Sequence, residues 1–153
     1  MTERGTLLMD AGIDEALVER LIAAARAAAA HAYVPYSHFP VGAAVLTASG
    51  EIVSGVNIEN ASSGLTVCGE RVAIFTAVAA GHRELRAVAV SAPRAPGTTP
   101  CGACRQVINE FTPEAGELVV LVDHGHRVVP HAFSDLLPAA FGPRDLERAT
   151  PPT

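Results

Sequence analysis

Two short, uninterrupted apolar segments limit the fold of this 153-residue chain more than any other feature. They lie at residues 87–91 and 118–122 and have the length of strands. Because neither segment alternates apolar with polar residues, both faces of each strand must be covered. Residues 102–111 between them predict a helix, which Pro113 ends. Strand, helix and strand in this order predict a crossover connection within one layered α/β sheet.

The other elements complete an α/β chain with a mixed sheet. Three further strands are predicted at residues 41–47, 51–57 and 127–130. The first two form an antiparallel hairpin, because only Ala48-Ser49-Gly50 joins them. Helices are predicted at residues 13–31, 69–80, 134–137 and 143–148, with Asp14 as the N-cap of the first. We expect a single domain over residues 1–153, with flexible termini at 1–12 and 149–153.

Composition and charge exclude several classes of function. The net charge is −5 and no basic cluster occurs, so binding to a nucleic acid polymer or an anionic membrane is not expected. No apolar stretch approaches the roughly 20 residues of a membrane span. The first ten residues lack the basic start and apolar run of a signal peptide, and we therefore expect a cytoplasmic location.

The only three cysteines, Cys68, Cys101 and Cys104, each stand where a predicted helix begins. An odd number that includes Cys-x-x-Cys indicates metal or redox chemistry more than a disulfide framework. If the two helix starts converge, three thiolates meet, and thiolate ligands favour zinc. Structural zinc sites fill four positions with Cys or His, whereas catalytic sites keep three protein ligands and one open position.

Two other interpretations of the cysteines stay open. One of the six histidines could complete a structural site, and the candidates are His124, His126 and His131. Alternatively, the Cys-x-x-Cys pair is a redox pair and Cys68 is merely buried.

Glu70 and Arg71 are the only charged residues of the helix predicted at 69–80. That helix is apolar on nearly every side, which predicts a central, buried position, and buried charges need partners. Glu70 lies two residues from Cys68 and is the candidate proton carrier. Arg71 is the candidate cation that hydrogen-bonds the cysteine sulfurs, because three thiolates on Zn²⁺ leave a net charge of −1. An ordinary Arg71–Glu70 salt bridge is the alternative.

A loop at residues 32–40 concentrates aromatic side chains, including Phe39, and could either line a pocket or pack on the core. Asn57 and Glu59 lie two residues apart in extended chain, so they share a face and could both bind one ligand. The alternative is that Asn57 and Asn60 only cap the adjoining loop.

The chain resembles the zinc-dependent cytidine deaminase family in its short, homotetrameric form, over roughly residues 14–146. Five segments in order carry the resemblance: Pro-Tyr-Ser-His-Phe-Pro-Val-Gly-Ala-Ala at 35–44, Asn-Ile-Glu-Asn at 57–60, Cys-Gly-Glu-Arg at 68–71, Pro-Cys-Gly-Ala-Cys-Arg-Gln at 100–106 and Leu-Leu-Pro-Ala-Ala-Phe-Gly-Pro at 136–143. A lone Cys-x-x-Cys would be a weak signal, but five segments at compatible spacing are a strong one.

The resemblance implies a three-layer α/β/α fold with a mixed five-stranded sheet. It also implies one Zn²⁺ per chain, held by Cys68, Cys101 and Cys104. Glu70 would move protons from water to N3 of cytosine and to the departing amine. The implied substrate contacts are Phe39 on the pyrimidine, Asn57 and Glu59 on the ribose hydroxyls, the Gly69 N–H on the base carbonyl, and Phe141 in a neighbouring subunit's pocket.

The activity implied is hydrolysis of cytidine and 2′-deoxycytidine to the uridine nucleosides and ammonia, in pyrimidine salvage. One rival is a deaminase of a modified cytosine nucleoside such as blasticidin S. Another is a non-catalytic, zinc-stabilised interaction domain, for which a buried Glu70 beside the metal would have no purpose.

Two departures from the family pattern bear on these expectations. Gly69 replaces the usual alanine, which predicts a looser helix start. Ser62-Ser63 occupies the stretch where an aromatic residue commonly stands, which puts tetramer stability or substrate fit in question.

Overall fold

A twisted, mixed sheet of five strands forms the middle layer of the computed structural model, which describes residues 2–149. The strands are β1 (Gly42–Thr47), β2 (Ile52–Val56), β3 (Leu85–Ser91), β4 (Val119–Asp123) and β5 (Val128–Ala132). Their order across the sheet is β2-β1-β3-β4-β5. Only β3 and β4 run parallel, and the other neighbours are antiparallel. The mixed five-stranded sheet predicted from the sequence is therefore confirmed.

Helices cover both faces of the sheet. They are α1 (Glu3–Asp10), α2 (Glu15–Ala29), α3 (Gly69–Ala79), α4 (Gly102–Glu110), α5 (Phe133–Leu136) and α6 (Pro143–Glu147). One core cluster joins α2 to the sheet through Leu21, Leu46 and Leu121, and another joins α3 and α4 to the opposite face through Ile74 and Val120. Val120 and Leu121 face different cores, and their strand is accordingly apolar from Val119 to Val122, as predicted.

Two glycines let the helices approach the sheet backbone directly. A Cβ at Gly42 would lie 1.9 Å from the Ala25 carbonyl oxygen of α2, and a Cβ at Gly55 would lie 2.3 Å from the Ala73 nitrogen of α3. No other residue fits at either position without moving a helix. The contact at Gly55 fixes α3 on the hairpin and so determines where the start of α3 lies.

The predicted cap of the first long helix is confirmed: the Leu17 N–H donates to Asp14 Oδ1 at 2.8 Å. Residues 3–10, which lie in the amino-terminal segment expected to be flexible, form α1. Leu8 is buried, and the Arg86 guanidinium donates to the carbonyls of Ala11 and Gly12. Of the predicted flexible segment 149–153, residues 150–153 lie outside the described residues.

The prediction of a central, buried α3 is wrong for one side of the helix. Its sheet-facing side buries Ala73, Ile74 and Ala77, but Phe75 on the other side is 48% exposed. The helix belongs to an outer layer, so the far side of α3 around Phe75 has no partner among residues 2–149. None of the helices in the described chain has the length and apolar character needed to cross a bilayer.

Candidate active site

The three cysteines meet where α3 and α4 begin. Cys68 is the N-cap of α3, Cys101 is the N-cap of α4, and Cys104 lies in the first turn of α4. Cys68 Sγ lies 3.8 Å from Cys101 Sγ, which lies 3.5 Å from Cys104 Sγ, and all three sulfurs fall within 4.8 Å of one another. The two helix starts therefore converge, which is the condition for a three-thiolate site.

The sulfur geometry suits a tetrahedral metal. With zinc–sulfur bonds of about 2.3 Å, two sulfurs on one zinc stand about 3.8 Å apart. Across residues 2–149, no histidine, aspartate or glutamate joins the three sulfurs as a fourth ligand. Cys104 is buried whereas Cys101 is exposed, so one side of the cluster is accessible. The arrangement fits an open, three-ligand zinc site better than a closed structural site or a redox pair beside a distant Cys68.

Glu70 lies beside this cluster in the first turn of α3. Glu70 is 4% exposed, and the Cys104 thiol donates to Glu70 Oε2 across 3.8 Å. Burial raises the pKa of this carboxyl above its ordinary value. A carboxyl group with a raised pKa next to a metal site can both accept and release a proton near neutral pH.

The Arg71 side chain contacts the cysteines from the same helix. Its Nη2 donates to Cys68 Sγ at 3.4 Å, the kind of contact expected from the charge of a three-thiolate site. In the part of the chain that is described, no ion pair joins Arg71 to Glu70. Hydrogen bonding from the Cys104 thiol, together with the Arg71 guanidinium, lowers the pKa of Cys68 to about 5. The same shared proton raises the pKa of Cys104.

Asn57 and Glu59 hold the aromatic loop, which we define as residues 33–41. Glu59 Oε1 accepts from the backbone N–H groups of Tyr36 and Ser37, both at 3.1 Å. The Asn57 amide donates to the Phe39 carbonyl at 2.8 Å and accepts from the Val41 N–H at 2.9 Å. Both side chains thus brace the backbone on either side of half-buried Phe39, which is the loop-capping role considered as the alternative for Asn57.

Gly69 lies against the end of the same loop. A Cβ at this position would be 3.0 Å from the Val41 carbonyl oxygen and 3.3 Å from the Asn57 nitrogen. The helix start is therefore tightly packed, and the glycine accommodates a close approach between α3 and the loop. This packing brings Gly69 and Asn57 together, and Gly69 directly follows Cys68 in the chain.

Phe141 presents an exposed ring on a clamped backbone. Its side chain is 60% exposed, while its carbonyl accepts from Gln106 Nε2 at 2.9 Å and Asn109 Nδ2 at 3.0 Å, both on α4. Arg105 Nε donates to the Pro100 carbonyl and its Nη1 donates to the Leu136 carbonyl, each at 2.8 Å. The helix that begins at the metal ligands thus also holds the carboxy-terminal segment.

Arg105, Gln106 and Asn109 were not among the residues predicted for the site. A signal was present for two of them, since Arg105 and Gln106 directly follow Cys104 in the fourth family-like segment. Asn109 lies one helical turn beyond Gln106, so the two amides share a face of α4.

Residues 16–122 match the family model of the cytidine and deoxycytidylate deaminase zinc-binding region. The chain belongs to the cytidine and deoxycytidylate deaminase family. It is 46% identical over 132 residues to a cytidine deaminase of Sporosarcina psychrophila, covering 86% of this chain and 96% of that protein. It is 46% identical over 121 residues to a Mycobacterium tuberculosis cytidine deaminase, covering 79% and 86% of the two chains.

Solved structures of deaminases share the fold of this family member. The crystal structure of cytidine deaminase from Burkholderia pseudomallei superposes with a TM-score of 0.73 at 46% identity, over 80% of this chain and 98% of that one. The enzyme from M. tuberculosis gives a TM-score of 0.70 at 44% identity, over 81% and 96%. The three-layer α/β/α deaminase fold is therefore confirmed.

The family's zinc-binding region and the three-cysteine cluster together fit one Zn²⁺ per chain. All three cysteines lie within the matched region of this deaminase, as does Glu70. Phe141 lies beyond it, so its expected place in a neighbour's pocket stays a prediction.

Proposed function

We propose that this deaminase hydrolyses cytidine and 2′-deoxycytidine to uridine and 2′-deoxyuridine, releasing ammonia. The observation that carries the proposal is the convergence of three cysteine sulfurs at two helix starts, with a buried Glu70 carboxyl 3.8 Å from one of them. The relatives named as cytidine deaminases support the choice of nucleoside. The enzyme is then a hydrolase acting on the C–N bond of a cyclic amidine.

Cys68, Cys101 and Cys104 would hold the metal. Zinc bound there supplies a Lewis acid that lowers the pKa of water in its open position. Glu70 would take a proton from the attacking water and deliver it to N3 of the base. After the remaining hydroxide adds to C4, Glu70 would take the proton of the new C4 hydroxyl and pass it to the departing amine, so that water and cytidine become uridine and ammonia. Arg71 would offset the negative charge of the thiolates and keep the metal site electrophilic.

The substrate contacts form the second part of the proposal. Phe39 would pack on the pyrimidine, and the Gly69 N–H, at the positive end of α3, would donate to the base carbonyl. Asn57 and Glu59 would address the ribose hydroxyls, and Glu59 keeps Oε2 available because its hydrogen bonds to the loop use Oε1. Phe141 would close the pocket of a neighbouring subunit.

The proposal extends to assembly and location. Exposed apolar side chains, including Ile58, Leu65 and Phe75, support a homotetramer in which these surfaces are covered. The three cysteines are free thiols, and a thiolate metal site requires a reducing compartment such as the cytoplasm. A nucleoside deaminase in that compartment would serve pyrimidine salvage.

The test follows the ultraviolet absorbance of cytidine and of deoxycytidine, with ammonia assayed in parallel. We expect wild-type protein to convert both, and Glu70→Gln to lose at least a hundredfold in kcat while keeping its zinc, because the amide cannot carry protons. Glu110→Gln, an exposed glutamate at the end of α4, is the matched control and should behave as wild type.

The outcomes separate the interpretations. Zinc-loaded wild-type protein that converts neither nucleoside would contradict the proposed substrate. If Glu70→Gln retained full turnover, the proton-carrying role would be refuted even though the activity stood.

A further inference from the structure

The aromatic loop contains an uncommon backbone conformation. His38 has a φ of +53°, in the left-handed region that only a few per cent of non-glycine residues adopt, although histidine does so more often than most. The next residue is Phe39, so the direction in which Phe39 leaves the backbone depends on His38 holding this conformation.

Hydrogen bonds to Glu59 and Asn57 hold the loop on both sides of His38, and the His38 N–H donates to the Val34 carbonyl at 3.0 Å, but none of these bonds reaches the His38 carbonyl. Glu59 accepts from Tyr36 and Ser37, and Asn57 bonds Phe39 and Val41. The His38 carbonyl accepts from Arg94 Nη1 at 2.7 Å, a contact that spans 56 residues of sequence.

Arg94 belongs to the connection between β3 and α4, which leads directly to Cys101. The same hydrogen bond therefore ties the segment that carries a metal ligand to the segment that carries Phe39. A deaminase must fix the distance between the metal ligands and the aromatic ring that packs on the base. The base has to present C4 to the metal while the pyrimidine ring contacts the aromatic side chain.

We propose that Arg94 is a positioning residue that keeps His38 in its left-handed conformation and thereby sets Phe39 for the pyrimidine. This inference rests on the proposed function. Arg94 touches neither the cysteines nor Glu70 by any hydrogen bond in the described residues, so it acts through the loop and leaves the chemical step alone.

Arg94→Ala is the first variant. We expect KM for cytidine to rise about fivefold, as for the loss of one hydrogen bond, with kcat within about twofold of wild type. Binding of cytidine to the Glu70→Gln protein, with and without Arg94→Ala, should weaken by the same factor, which shows that the change in KM reflects affinity.

Arg83→Ala is the matched control. Arg83 is also exposed and also donates to backbone carbonyls, those of Val78 and His82 at 2.8 and 2.9 Å, but at the far end of α3. We expect this variant to retain wild-type KM. Arg94→Lys keeps one donor and should recover most of the affinity.

A double variant separates positioning from a general loss of stability. Besides glycine, asparagine and aspartate are the residues that visit the left-handed region, because their short polar side chains can hydrogen-bond locally. Adding His38→Asn to Arg94→Ala should therefore recover part of the lost affinity, although it restores no contact to residue 94. A mere loss of surface stabilisation gives no such recovery.

Amide hydrogen exchange at residues 36–39 provides a readout that does not depend on turnover. Exchange should accelerate there in Arg94→Ala and not in Arg83→Ala. The near-ultraviolet tyrosine signal should change in parallel, because both tyrosines of the chain, Tyr33 and Tyr36, lie in the aromatic loop and the chain has no tryptophan.

The results decide two questions separately. If wild-type protein deaminates cytidine but Arg94→Ala matches Arg83→Ala in KM, the inference is overturned and the proposed function stands. If wild-type protein is inactive on cytidine, the proposed function fails, and only the hydrogen-exchange data test the role of Arg94. Faster exchange at residues 36–39 in Arg94→Ala but not in Arg83→Ala would support the inference. Equal exchange rates in the two variants would overturn it.

Discussion

Asp123 offers a stability prediction whose size can be worked from the structure. This carboxylate, 6% exposed at the end of β4, accepts from Arg26 Nε and Nη2, both at 2.7 Å. It also accepts from the Ser91 hydroxyl and the Gly125 N–H, both at 2.8 Å. The Arg26 guanidinium, with the other donors, lowers the pKa of Asp123 from 3.8 to about 2.

A tenfold difference in acidity corresponds to about 1.4 kcal/mol. The lowered pKa is therefore worth about 2 kcal/mol of folding free energy at neutral pH, after allowance for solvent screening at Arg26, whose side chain is 47% exposed. Because the folded-state pKa lies below the unfolded one, this stability is present above about pH 4 and is lost as the pH falls toward 2. About half of it should be gone by pH 3.

The assay compares urea unfolding of wild type and Asp123→Asn from pH 7 to pH 3. Zinc release in acid affects both proteins alike, so the difference between their unfolding free energies isolates the carboxylate. We expect that difference to fall by about 1 kcal/mol across this range. Asp135→Asn, which removes an exposed carboxylate, should show little difference at any pH. A wild-type advantage over Asp123→Asn that stays constant from pH 7 to pH 3 would refute the reasoning.

Two further predictions concern the metal site and the surface. Arg71→Gln should lower kcat/KM and zinc affinity on the order of tenfold, because the Cys68 sulfur loses its cationic partner. Competition with a chromogenic chelator measures the zinc affinity. Unchanged values of both kcat/KM and zinc affinity would contradict the role of Arg71. Phe75→Asp should dissociate the proposed tetramer, since it places a charge on an exposed apolar surface of α3; sedimentation velocity gives the state, and an unchanged assembly would exclude this surface from the interface.

The layered fold was predictable because its strands are covered on both faces. The apolar runs around Val88 and Val120 carry that information locally, and the predicted strands match the observed ones to within a few residues. Helix α1 was missed because its burial depends on a single residue, Leu8, and on Arg86 from far along the chain. The exposed side of α3 was missed because apolar composition alone does not say which side faces the sheet.

The candidate site divides in the same way. Cysteine number and spacing predicted a three-thiolate cluster, because helix starts and ligand preferences are local properties. The contacts that shape the substrate side could not be predicted, since bonds such as those from Arg94 to His38 or from Asn109 to Phe141 join a side chain to a backbone carbonyl. Any residue supplies such a carbonyl, so the sequence contains no sign of the partner.

The glycine contact between β2 and α3 makes one half of the candidate site more rigid than the other. In the half that contains the cysteines, the backbone of Gly55 packs directly against the backbone of Ala73. This contact leaves no space for α3 to shift. The half proposed to face the nucleoside is held by hydrogen bonds from the aromatic loop to long polar side chains, Glu59 and Arg94 among them. In this second half, substitutions are expected to change which sugar or base is accepted without moving the reactive centre. We therefore expect substrate choice in this scaffold to diversify there first.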